Sequence, residues 1–441
     1  MSHRPMIVPP IGVGTARHTA LASVALVGAA LVSLTLLACS DQPVAPATTA
    51  TAASDVAASS AGFEVNSATA TLEWEATARQ LVVRHPAAYN PLVAARAYAM
   101  LGIAQYGAVV ESDAADPVDG GRALYEARRG AVAGASATVL SYLFPDAAAA
   151  LEDQLTRDGA AGPGGTQPHF TRGVATGRAM GARMIDHANH DGFATPWNHL
   201  APPDPLGGGW IGVAGVAPAG FQFPLMKPYF LMTQSQFRPA PPIAQGTPEF
   251  AADLQAVRDA TTGRTAADST LAIFWNLNVG TVTALGYWNE RAAEYIPAHA
   301  LDERSASHVF ALMNSAGLDA LIGCWDAKYY YMRLRPSMAD PTITRPVGPP
   351  EFPYPLPNHP SYPSGHSCVS ASATRVLASF FPEHAATLDQ MVADAGRSRV
   401  VGGIHFPSDV AVGQALGRAV ADWAMAYDQQ PGGLLRAMDQ R

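Results

Sequence analysis

The 441-residue chain predicts an all-α fold, and three observations carry that prediction. From Thr71 onward apolar residues recur at helical steps of three and four, no stretch alternates like a half-buried strand, and Pro and Gly punctuate the periodic runs. Apolar residues make up 48% of the chain and charged residues 15%, a composition that builds a globular core. Three cysteines are too few for a disulfide framework at this length, so the core rests on ordinary apolar burial. Lys plus Arg number 28 against 36 Asp plus Glu. This acidic balance, without a basic cluster, argues against a nucleic-acid partner or an anionic-membrane surface.

The first 40 residues stand outside that fold. Arg4 and Arg17 give a positive start, and 19–40 then carry no charge, running through Leu36-Leu37-Ala38-Cys39. Residues 1–38 read as a secretory signal peptide. The Leu-x-Ala-Cys ending resembles the bacterial lipoprotein box, with Cys39 as the lipidated first residue of the mature chain. The other reading is an uncleaved single-pass anchor, since about 20 apolar residues span a bilayer. Both readings export the chain and tether it to a bacterial membrane. Loss of 1–38 removes two positive charges and no negative ones, which moves the formal net charge from -8 to -10. Residues 39–70, rich in Ala, Thr and Ser, have too few large apolar side chains to offset the entropy of ordering, and read as a disordered linker. A single folded domain is expected over 71–441.

Within it Trp74, Ala78, Leu81 and Val82 share one helix face, and a longer run covers 90–110. Further helices are expected near 123–144, 171–189, 249–261, 266–278, 305–335, 367–381, 385–397 and 409–427. Pro145, Pro382 and Pro407 punctuate their ends. Between 189 and 249 lies a segment rich in Pro and Gly, far longer than the ~15 residues at which structureless connectors become unusual. It reads either as a loop covering a pocket, walled by Trp197, Trp210, Phe221, Phe223 and Tyr229, or as a surface wrap anchored by those aromatics. No stretch past residue 40 is expected to have the length and apolarity of a membrane span; the nearest, 130–144, is short and rich in small and hydroxyl residues.

The chemistry-bearing residues concentrate in 325–409. On a helix expected to end near Arg335, the residues Trp325, Lys328, Met332 and Arg335 stand at steps of three, four and three, a stripe half apolar and half cationic. Pro336 then ends the helix and holds the Arg335 guanidinium at its mouth. Next, Tyr362-Pro363-Ser364-Gly365-His366 delivers Ser364 and Gly365 to a helix N-terminus, where free N–H groups and the positive dipole end favour an oxyanion. The alternative for this motif alone is an ordinary cap with a surface His366. Third, Ser398-Arg399 is followed at five residues by His405 and at three more by Asp409. Arg399 offers a two-pronged contact to an oxyanion. Asp409 can fix the tautomer of His405 by accepting one ring N–H, so that the other nitrogen presents its lone pair. A structural ion pair and a capping Asp would use the same residues.

Taken together and in this order, Lys-x6-Arg-Pro, Pro-Ser-Gly-His and Ser-Arg-x5-His-x3-Asp resemble the signature shared by type 2 phosphatidic acid phosphatases, bacterial non-specific acid phosphatases and vanadium-dependent haloperoxidases. Phrases such as Phe274-Trp275-Asn276 and Tyr287-Trp288-Asn289 extend the likeness to exported bacterial haloperoxidase-like proteins. The resemblance implies a helical bundle around an oxyanion pocket. It assigns Lys328, Arg335 and Arg399 to the anion's equatorial oxygens, with Ser364 and the Gly365 N–H completing the cradle. In a phosphatase His405 would attack phosphorus, His366 would protonate the leaving oxygen, and no cofactor is needed. In a haloperoxidase His405 would instead bond the vanadium of vanadate, and His366 would exchange a proton with peroxide. Trp325 and His359 stand where members of the haloperoxidase branch carry residues beside the halide, and lean the reading toward bromide or iodide oxidation by hydrogen peroxide. The small-molecule partners implied are peroxide and halide, or a phosphomonoester. His187 and His190, with Asp186, lack a third metal ligand of the right kind nearby. Cys324 and Cys368 lie near the signature, and sequence spacing leaves open whether they pair.

Overall fold

The computed structural model describes residues 67–115, 121–161, 167–348 and 354–435, all within one compact unit, Gly62–Arg441. The signal peptide, Cys39 and the linker up to residue 66 lie outside the described residues. Helices make the fold: α1 (Thr69–Arg84), α2 (Pro91–Ala115), α3 (Gly121–Leu143), α4 (Ala148–Ala160), α5 (Pro168–Asn189), α6 (Pro248–Thr262), α7 (Ala266–Phe274), α8 (Thr283–Ala298), α9 (Glu303–Tyr331), α10 (Pro336–Ala339), α11 (Gly365–Phe380), α12 (Ala385–Val401) and α13 (Pro407–Asp428). Among the described residues the one extended pairing is an isolated bridge between Gly209 and Arg333.

Three helices escape the periodicity reading, the four-residue α10 among them. α4 buries only Leu151, Leu155 and Gly159, a stripe too thin to stand out in an Ala-rich run. α8 buries Leu285, Trp288, Ala292 and Ile296 at helical steps of three, four and four, but its start has no side-chain cap to announce it.

The core is a stack in which α3 packs on α5, α2 on α9, and α11 on both α9 and α13. α2 corrects the expectation about membrane spans. It is 25 residues long with a mean hydropathy of 1.2 over its most apolar stretch, long and apolar enough to cross a bilayer. That stretch is 83% buried inside the protein, which makes α2 a central core helix. The α11–α13 contact sets the site. A side chain at Gly417 of α13 would meet the Cys368 carbonyl oxygen of α11 at 2.2 Å, so only glycine allows the two backbones to lie this close.

α9 ends earlier than expected. Tyr331 is its last residue, Met332 turns left-handed at φ 49°, and the chain leaves the helix four residues before Arg335. Residues 332–334 are then zipped to the long loop, where the Trp210 N–H donates to Met332 O at 2.9 Å and the Leu334 N–H to Gly208 O at 2.8 Å. Arg335 therefore projects from an extended segment ahead of α10 and not from the same face as Lys328. The physical reason is the restriction that Pro336 places on the residue before it, which favours extended backbone at Arg335 (ψ 159°).

The 190–247 segment is a brace. Tyr229, Phe230 and Leu231 donate their backbone N–H groups to the buried Asp319 carboxylate of α9 at 2.7, 2.7 and 3.1 Å. Trp210 packs edge-on against Tyr329, and Phe223 packs behind Trp325 with ring centroids 6.0 Å apart. Phe223 and Trp210 are buried, as the anchoring reading requires. Of this segment Ala219 alone reaches the cavity described below. Tyr329 and Tyr331 donate their hydroxyls to Ala219 O and Pro239 O, and Tyr330 lies under the Arg238 guanidinium at 3.8 Å, so the tyrosine run is packing. Cys324 and Cys368 are both buried free thiols. His187 stacks on Tyr229, and His190 donates to the Asp186 carbonyl.

Candidate active site

The residues singled out in sequence converge at the inner ends of α9, α11, α12 and α13. A cavity of about 260 Å³ opens there, with His359, His366, Arg399 and His405 in its wall, along with Trp325 and Gly365. Ser364 caps α11 and accepts from the Ser367 N–H at 3.4 Å and the Ser367 hydroxyl at 3.0 Å, which leaves its own O–H hydrogen outside both contacts. Gly365 is needed for a reason beyond anion approach. A side chain there would sit 2.9 Å from the Trp325 ring, so glycine lets the indole close over the helix start.

His405 and Asp409 form the pair expected. His405 Nδ1–H donates to Asp409 Oδ2 at 3.1 Å, leaving Nε2 as the lone-pair nitrogen. The same oxygen accepts from the Ser361 hydroxyl at 2.6 Å and the Phe406 N–H at 3.1 Å, while Oδ1 takes Arg333 Nη1 at 2.8 Å. Burial pushes the Asp409 carboxyl up, but Arg333, together with His405 and Ser361, overturns this and holds it well below the usual carboxylate range. Burial, then the Arg335 charge, keep His405 well below the ordinary histidine value despite Asp409. His366 is pushed down to about 3 by burial and then by Arg399, and its Nε2–H donates to the Asn276 carbonyl at 3.0 Å. Both rings are therefore neutral at pH 7.

The three cations are fully buried. Lys328 Nζ donates to the carbonyls of Pro360, Ser361 and Pro363. Arg335 donates to the carbonyls of His359 at 3.0 Å and Ile404 at 2.6 Å. Arg399 donates to the Ser398 hydroxyl at 2.9 Å and the Ala272 carbonyl at 3.2 Å. None of the three lies within ion-pair distance of a carboxylate among the described residues, since Asp409 is taken by Arg333. Buried cations without counter-charge are costly. A multiply charged oxyanion would supply that charge, so the donor set fits phosphate or vanadate.

Burial lowers Lys328 to about 8, which yields a pH prediction with a definite sign. Lys328 carries its charge below that value and loses it above, so phosphate affinity is expected to fall by up to about tenfold per pH unit above pH 8. Isothermal titration across pH 7–10 at constant ionic strength measures it. Lys328→Met should bind more weakly and lack the break; a break of the same size in that variant would refute the assignment.

Sequence reasoning missed four contributors. Arg333 binds Asp409 and, at 3.0 Å, Asp253 of α6; Asp253 also accepts from Ser408; Ser361 braces Asp409; and the Asn276 carbonyl holds His366. The alternation Arg333-x-Arg335 before Pro336 was the available signal, masked by reading this stretch as helix.

The chain matches the PAP2 superfamily model over residues 306–431, a span that contains every motif residue described above. Residues 306–431 are similar to the PAP2 superfamily. A non-specific acid phosphatase of Salmonella typhi is 38% identical over 91 residues, 21% of this chain and 35% of that protein. An acid phosphatase of Zymomonas mobilis is 45% identical over 56 residues, 13% of this chain and 21% of that protein. The chain thus spans about a third or less of the curated relatives it matches. The fold is similar over most of the chain to a bacterial vanadium-dependent iodoperoxidase, with TM-score 0.66 and 21% identity over 80% of this chain and 96% of that one. It is also similar to a holo-type bacterial vanadium-dependent chloroperoxidase, with TM-score 0.58 and 15% identity over 80% and 94%. These likenesses show an all-helical fold shared over most of the chain.

Proposed function

We propose that this PAP2-superfamily chain is a vanadate-dependent haloperoxidase that oxidises bromide or iodide with hydrogen peroxide. The observation that carries the reading is the Trp325–His359 pair, with rings 4.9 Å apart on the wall of the cavity that also holds His366, Arg399 and His405. Burial, then Lys328 and Arg335, hold His359 well below the ordinary histidine value, so it stands uncharged. An aromatic wall backed by buried cations suits a soft, weakly hydrated anion, and phosphoryl transfer has no use for it.

In this reading Lys328, Arg335 and Arg399 hold the charge of vanadate, Ser364 and the Gly365 N–H complete its cradle, and His405 Nε2 supplies its protein ligand. Bound vanadate supplies a Lewis-acid centre for peroxide. The chain does the rest. Asp409 fixes His405 as the Nδ1–H tautomer, and Asn276 fixes Nε2–H on His366, so His366 Nδ1 is the nitrogen able to take a proton from peroxide.

A second reading has its own support in the 38% identical stretch shared with an acid phosphatase. There His405 Nε2 attacks the phosphorus of a phosphomonoester, His366 protonates the leaving oxygen only after Nδ1 has itself taken up a proton, and water hydrolyses the phosphohistidine. One experiment separates them, using purified full-length protein. Bromide oxidation is assayed after vanadate reconstitution, beside p-nitrophenyl phosphate hydrolysis without vanadate. Vanadate-dependent oxidation is the expected result; hydrolysis that vanadate merely inhibits would replace the first reading by the second.

A further inference from the structure

Halide and peroxide are small and hydrophilic, yet most of the cavity wall is not. Besides the histidines and Arg399, the wall is built from Leu92 of α2, Leu285 of α8, Leu321 of α9 and Val369 of α11, all at most 5% exposed, with Leu356 from the segment before the Pro-Ser-Gly-His turn. These side chains come from four helices and one loop, so the apolar face is composed jointly and is not the incidental flank of one element. An apolar cavity of about 150 Å³ already admits benzene, and this one measures about 260 Å³. Room for an organic group therefore remains beside an oxyanion.

A second chamber of about 270 Å³ adjoins the first and shares Asn276, Asn278 and Pro355 with it. Its own wall adds Ile273, Phe274, Leu277 and Val279, again apolar. Phe274 is 50% and Val279 41% exposed, large apolar side chains of this wall that also face solvent. The shared wall is the α7–α8 connection, which also presents the Asn276 carbonyl to His366. The two chambers thus meet at the residue that holds the His366 ring.

We infer that this apolar face is a subsite for the organic part of a substrate, an aryl group or a short alkyl chain, held beside the oxyanion with its far end toward Phe274 and Val279. The inference rests on the oxyanion reading of the site, and it names the substrate class that either activity would act on. In the oxidative reading the group belongs to the acceptor that takes up the oxidised halogen; in the hydrolytic one it is the ester's alcohol. A site serving inorganic ions alone gains nothing from desolvated leucines.

The probes are methyl-, ethyl-, propyl- and butylphosphonate and phenylphosphonate, bound to the vanadate-free full-length protein and followed by isothermal titration beside inorganic phosphate. Each added methylene that enters the apolar face should tighten binding about threefold to fourfold. Butylphosphonate is then expected to bind at least tenfold more tightly than methylphosphonate, and Leu356→Asn to lower that ratio. Phe274→Ser, a change at an exposed position, should lower the ratio for phenylphosphonate without a change in melting temperature. Equal affinity across the series, with phosphate and methylphosphonate still bound, would overturn the subsite and leave the oxyanion site standing. Failure of phosphate and of every phosphonate to bind would overturn the oxyanion reading and the subsite with it.

Discussion

Replacing His405 by Ala is expected to lower turnover by at least about 10³-fold in whichever of the two assays the wild-type protein supports. The size follows from position. His405 is 2% exposed, and of the cavity's three histidines it is the one whose Nδ1–H is held by a carboxylate. Neither Ser361 nor Arg333 substitutes, because both are committed to the Asp409 carboxylate. Phosphate affinity should change far less, since Lys328, Arg335, Arg399 and the α11 N-terminus remain. The comparison that isolates tautomer control is Asp409→Asn. An amide nitrogen in place of Oδ2 cannot accept the His405 proton, and a loss approaching that of His405→Ala is expected. Turnover within tenfold of wild type in His405→Ala would remove His405 from the chemistry.

The motif residues were legible because each has a role that only a few side chains can fill: a forked guanidinium, a tautomer-fixing carboxylate, a glycine at a crowded helix start. Lys328, Ser364, Gly365, Arg399, His405 and Asp409 are buried near one another, and the His405–Asp409 hydrogen bond follows the one-turn step between them. Arg335 reaches the site by a route that the helical step count did not anticipate. A periodic run does not reveal where a left-handed residue will stop it, and the stop at Met332 is enforced by hydrogen bonds to Gly208 and Trp210, more than 120 positions earlier in the chain. Distance in sequence also hid Asp253 and the Asn276 carbonyl. α8 was hidden at its start, despite the apolar stripe along its face. Its start has no capping side chain, and Thr283 enters it at φ 68°, a conformation that sequence does not advertise.

Arg333 carries the second large effect. Its guanidinium is 2% exposed, lies over the Phe406 ring at 4.1 Å, and joins Asp409 to Asp253. Replacing it by Ala leaves Asp409, which has no exposure, as a buried carboxylate without its cation. Breaking a buried pair from one side costs about 3–5 kcal/mol. The sign of the pH effect follows from the same contact. Arg333 is the main influence opposing burial and holding the Asp409 carboxyl low, so without it the carboxyl rises and Asp409 protonates at a higher pH. A protonated Asp409 no longer anchors His405 Nδ1–H as a carboxylate does, and the acid limb of the pH–rate profile is expected to move upward. Arg333→Lys keeps the charge but loses the fork that spans Asp409 and Asp253, so it should retain much of the stability and show a smaller shift of the limb. Denaturant unfolding and pH profiles of both variants measure this. An acid limb unmoved in both variants would reduce Arg333 to a packing residue, because a purely structural loss lowers the amount of folded enzyme without altering where it titrates.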